Sequence, residues 1–104
     1  KFTPEKLSEE QVVELMKAAL FAPSSKGLRA WEFVLVDNAD LLHQLSECKP
    51  SGAAMVAEAP LAIVVVADKT VSDMWIEDAS VAATMLLLQA EDMGLGACWV
   101  HPMI

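Results

Sequence analysis

The sequence predicts one layered domain of the α/β or α+β class. Three stretches carry that expectation: an amphipathic helix after Ser8, a continuously apolar strand at Leu61–Ala67, and a long helix after Ser72. No internal repeat, low-complexity tract or linker divides the 104 residues, so residues 1–104 read as a single domain.

Ser8-Glu9-Glu10-Gln11 has the form of a capping box, in which the serine hydroxyl and the glutamine side chain satisfy each other's free backbone N–H groups. Val12, Leu15, Met16, Ala19 and Leu20 then recur at helical spacing until Phe21, and Pro23 stops the helix. Trp31–Val36 reads as a strand. Asp37-Asn38-Ala39-Asp40 supplies turn and N-cap chemistry for a short helix through Leu41, Leu42 and Leu45, broken by Lys49-Pro50, and a second short helix is expected from Gly52 to Glu58. Leu61–Ala67 has no polar face, which predicts an interior strand covered on both sides.

The longest helix is expected over Trp75–Met93. Ile76, Ala79, Ser80, Ala83, Leu87 and Ala90 fall to one side and Val81, Met85 and Leu88 to the other, so it should be buried from several directions. Its small residues would also let another helix approach closely. Gly94 and Gly96 end it, and Ala97–Val100 is expected as a third strand.

Composition narrows the function. A net charge of −8, from 15 acidic and 7 basic residues, lacks the clustered cations that nucleic acid or an anionic membrane would need. The longest apolar run is far below the ~20 residues of a membrane helix, and residues 1–4 have no signal-peptide layout, which predicts a cytoplasmic protein. A hydrophobic content of 55% and mean hydropathy of +0.40 are high for a small monomer, so either a second subunit or more chain should cover apolar surface. Cys48 and Cys98 share no CxxC spacing and read as two ordinary thiols.

Several stretches suggest chemistry that their context argues against. Gly94-Leu95-Gly96 follows a helix and feeds a strand, the reverse of a dinucleotide fingerprint, and reads as a helix C-cap and tight turn. His43 has no second ligand at metal spacing and reads as structural, whereas His101, beyond a strand end and before Pro102, is a candidate pocket residue. Glu77 and Asp78 fit the first turn of a helix through its dipole. Adjacent helical positions diverge by about 100°, so they are not expected to work as an acid–base pair. No metal site and no catalytic side chain are predicted. The richest segment is Pro23–Phe33, whose hydroxyls, glycine and two cations lie in a helix-to-strand loop of the kind that holds ligands.

Together, Ala22-Pro23-Ser24-Ser25 with Trp31-Glu32-Phe33, then Ala59-Pro60-Leu61, Trp75-Ile76-Glu77-Asp78-Ala79-Ser80 and Gly94-Leu95-Gly96-Ala97-Cys98-Trp99 resemble the FMN-dependent nitroreductase family, in order and over nearly the whole chain. The resemblance implies an α+β homodimer with a central, mostly antiparallel sheet flanked by helices and a long central helix at the dimer axis. It also implies FMN as cofactor, NAD(P)H as reductant and a nitroaromatic, quinone or similar small molecule as acceptor.

By that resemblance Ser24, Ser25, Lys26, Gly27 and Arg29 approach the flavin from one subunit, and Trp99, Val100 and His101 from the other. Many family members have Asn at the position of Gly27 and Gln-Pro at Arg29-Ala30. Arg29 either substitutes, stabilising negative charge at the pyrimidine end of the ring, or is a surface residue. The family's phosphate-binding arginines precede the segment matching Lys1-Phe2-Thr3, and another basic residue lies near its C-terminus. The chain is therefore expected to be part of a longer protein. Two other readings compete: a flavin-free interaction or regulatory domain that has lost the cofactor site, and a thiol redox protein using Cys48 or Cys98.

Overall fold

The structure, a computed structural model, describes residues 5–23, 27, 31–49, 52–70 and 73–100. Helix α1 (Glu9–Leu20) starts as its sequence dictates: Gln11 N–H donates to Ser8 Oγ at 3.2 Å and Ser8 N–H to Gln11 Oε1 at 2.9 Å. Strand β1 (Trp31–Val36) follows, then α2 (Ala39–Leu45), whose N-terminal amides at Asp40 and Leu41 donate to Asn38 Oδ1. A 3-10 turn (Ala54–Glu58), β2 (Ala62–Ala67) and α3 (Trp75–Asp92) complete the order.

β1 and β2 pair antiparallel, with Trp31 opposite Ala67, Phe33 opposite Val65 and Val36 opposite Ala62. Side chains alternate across a strand, so one face presents Trp31, Phe33, Ile63 and Val65 to the helices. One core cluster joins Leu15 and Ala19 of α1 to Leu86 and Ala90 of α3. A second joins Ala22, Trp31 and Ala82, with the Trp31 and Phe33 rings 5.3 Å apart and tilted by 41°.

Three expectations need correction. The buried stripe of α3 is Asp78, Ala82, Leu86 and Ala90, with Ile76 and Leu88 exposed. An α-helix apolar nearly all round offers more than one plausible stripe, and packing against α1 and the sheet, chiefly β2, selects this one. Among the described residues β2 is not covered on both sides: its residues are half-buried or, at Val66, exposed. Its outer face, with β1 and α2, forms an open apolar groove of about 400 Å³ that includes Val34, Val64, Leu41, Leu45 and Cys48. Residues 97–100 form no ladder with any described strand, since a strand is defined by its partner as much as by its own residues.

Candidate functional site

The connection from α1 to β1 is closed at its base. Phe21 N–H donates to Lys17 O and Ala22 N–H to Ala19 O, ending the helix and turning Ala22 inward. Ala22 then packs in the same buried cluster as Trp31, the first residue of β1, against Ala82 of α3. Ala82 has no accessible surface, and its small side chain is what lets both stems meet there. The end of α1 and the start of β1 thus meet at one apolar corner. Gly27, within this connection, has φ +65 and is exposed, and among the described residues no heavy atom lies within 4 Å of where a Cβ would stand.

The second segment is set by the end of α3. Gly94 takes the left-handed conformation (φ +74), its N–H donates to Glu91 O at 3.0 Å, and Leu95 N–H donates to Ala90 O at 2.8 Å. This is a Schellman cap, and Leu95 completes it by packing on the cluster that contains Ala90. Beyond it Trp99 is 45% exposed and Val100 half-buried.

Of the expected cofactor residues, the structure describes Gly27, Trp99 and Val100. Ser24, Ser25, Lys26, Arg29 and His101 lie outside the described residues. Within one chain the two segments hang from different ends of the same helix stripe. Ala82 and Ala90 are two turns apart, about 12 Å along the axis.

Two features of this corner escaped the sequence reading. Asp78 is only 4% exposed and shares the buried stripe of Ala82, whereas Glu77 faces solvent, so the two carboxylates attributed to the helix dipole have different surroundings. The i, i+4 spacing of Asp78, Ala82, Leu86 and Ala90 was the available signal. In addition, Trp31 is 7% exposed and its indole Nε1–H is buried with no hydrogen-bond acceptor among the described residues.

Other candidates are ordinary on inspection. His43 stands 3.5 Å from Glu47 on an exposed helix face, and Cys48 and Cys98 are free and exposed. Among the described residues no group of His, Cys, Asp or Glu could hold a metal ion, and no helix is long and apolar enough to cross a membrane. The apolar groove beside α2 lies on the opposite sheet face from the Trp31 corner.

An antiparallel strand pair backed by helices defines an α+β domain. The family model of the nitroreductases matches residues 1–49 and 41–103, and the chain belongs to the nitroreductase family. A curated relative from Methanothermobacter thermautotrophicus, provisionally named NADH dehydrogenase/NAD(P)H nitroreductase, is 36% identical over 99% of this chain and 56% of its own length.

Among solved structures, an FMN-dependent nitroreductase from Clostridium difficile R20291 is 50% identical with a TM-score of 0.94, covering 96% of this chain and 58% of that one. A similarly assigned NADH dehydrogenase/NAD(P)H nitroreductase from Parabacteroides distasonis is 40% identical with a TM-score of 0.89, over 95% and 59%. The fold is therefore nitroreductase-like, and the chain spans less than three fifths of the length of these relatives.

Proposed function

We propose that the protein carrying this chain is a cytoplasmic FMN-dependent oxidoreductase. It takes electrons from NAD(P)H and delivers them to a nitroaromatic, quinone or similar small acceptor, with FMN held between two copies. The observation that carries this reading is the 50% identity, over 96% of the chain, to an FMN-dependent nitroreductase of nearly superimposable fold.

The described residues fit such a cofactor. Among the described residues nothing lies within 4 Å of a Cβ position at Gly27, so a planar ring could approach the backbone there, and Trp99 offers an exposed aromatic face. When bound, FMN would supply the two-electron chemistry between nicotinamide and acceptor. The protein's part is binding and orientation. Ser24 and Ser25 offer hydroxyls and amides to the polar edge, Lys26 and Arg29 positive potential, and Trp99, Val100 and His101 a wall contributed by the other copy.

The homodimer is supported by unsatisfied apolar surface. Phe21 is 81% and Leu88 61% exposed, and Leu20, Ile76 and Val13 are exposed with them. The accessible surface of 7175 Å² exceeds the about 5,700 Å² of a compact monomer of 11.2 kDa. A second copy packed on α3 would cover much of that excess and bring the two segments, hung from different turns of α3, to one cleft.

Purified full-length protein should show the visible flavin bands or take up added FMN stoichiometrically, and it should then oxidise NAD(P)H in the presence of a quinone or nitroaromatic. A colourless protein that fails to take up FMN refutes the proposal and favours a flavin-free interaction domain.

A further inference from the structure

The outer face of the sheet holds apolar surface that the cofactor reading does not use. Alternation along β1 and β2 places Val34, Val36, Val64 and Val66 there, and Glu32 is the one charge among the paired residues of that face. Leu41 and Leu45 of α2, with Cys48 just beyond it, wall the groove on one side. Seven helical residues reach about 10 Å and six strand residues about 20 Å, so α2 covers only part of the face, and Val34 and Val66 remain 49% and 47% exposed. A strand without a polar face, as Ala62–Ala67 is, belongs to a sheet covered on both sides. Among the described residues that outer layer is incomplete.

We infer that this groove is the seat of the polypeptide flanking residues 1–104 in the full-length protein, which lays an apolar stripe along Val34, Val64 and Val66 beside α2. The inference goes beyond the FMN reading and does not depend on it. In the Clostridium difficile relative more than two fifths of the chain lies outside the match, which is chain enough for a further layer. Lys6 Nζ donates to Asp37 O at 3.1 Å, so the N-terminal end of the described chain already stands near Val36 at one end of the groove. Chemistry narrows the occupant. Apart from Gln44 and the Cys48 thiol the lining is aliphatic and the groove is open, so it lacks the convergent polar groups that orient a small ligand. A copy docked on the exposed side of α3 sits across the sheet and does not reach this face. A covalently attached segment, by contrast, meets the groove at an effective concentration on the order of millimolar, ahead of a free partner.

Two measurements on full-length protein test this. Cys48 reports whether the groove is covered: its alkylation by N-ethylmaleimide, followed by mass spectrometry of the peptide that contains it, should be slower in the native protein than in urea by about tenfold or more. That protection should not change when the protein is diluted. A photo-crosslinker reports what covers the groove. Leu41→benzoylphenylalanine, or Val66→benzoylphenylalanine where the first variant fails to fold, replaces a side chain that this segment leaves exposed. Irradiation should give a product of monomer mass that joins the substituted position to a residue outside 1–104.

Slowing of Cys48 by less than about tenfold overturns the inference, because the groove is then open to solvent. Protection that fades on dilution overturns it in favour of a second copy, as does a photoproduct of dimer mass. A photoproduct joining two positions within 1–104 overturns it as well, since residues of this segment would then close the groove. So does the absence of any photoproduct from a folded variant. The thiol measurement and its dilution use the wild-type protein, so they decide the matter even if neither variant folds.

Discussion

Gly94→Ala isolates a single backbone conformation at the junction between α3 and the Trp99 segment. Gly94 has φ +74, and a Cβ added there meets no heavy atom within 4 Å, so the substitution causes no clash and its cost is conformational. Holding an L-residue in the left-handed region costs about 1–2 kcal/mol. A stiffer unfolded chain returns roughly 0.4–1 kcal/mol of that. The net expectation is a loss of about 1 kcal/mol, with the Schellman bonds from Gly94 to Glu91 and Leu95 to Ala90 retained.

Urea unfolding of the full-length protein should show a lower midpoint at an unchanged slope, because the buried surface is the same in both variants. Gly94→Asn should lose roughly half as much, since Asn tolerates this conformation better than Ala. An alanine variant as stable as wild type, or more stable, would mean that Gly94 is not left-handed in solution and that the cap was misread.

Three further outcomes follow from the packing. Leu86→Ala removes a buried side chain from the cluster with Leu15, Ala19 and Ala90, and should cost about 2–5 kcal/mol in the same unfolding assay. Leu88→Glu places a charge on the exposed apolar side of α3; it should shift the proposed dimer toward monomer in light scattering and leave the fold intact by circular dichroism. Ser25→Trp should lower flavin occupancy, read from the ratio of flavin to protein absorbance, with no change in helix content; unchanged occupancy would remove that residue from the site.

Much of the fold was legible because local chemistry determined it. The Ser8–Gln11 capping box and the Asn38 cap each rest on side chains that bond their own neighbouring backbone, and α3 ends within one residue of the expected Met93 because Gly94 permits the left-handed turn. Illegible features were those decided by distant partners. Leu86 and Leu88 are chemically identical, and only the positions of α1 and the sheet bury one and leave the other exposed. Residues 97–100 carry strand-forming side chains but gain no ladder from β1 or β2. At the candidate site, the burial of the Trp31 indole N–H and of Asp78 emerged only from tertiary packing.

The clamp of Ala22 and Trp31 on Ala82 also bears on how such a protein can change. With both stems held in the apolar body, lengthening or rewriting residues 23–30 leaves the anchoring contacts untouched, and even a doubled loop adds only about 0.6 kcal/mol of closure entropy. Mutational drift can therefore rewrite that segment at little risk to folding, and whatever role the connection serves is largely uncoupled there from selection for stability.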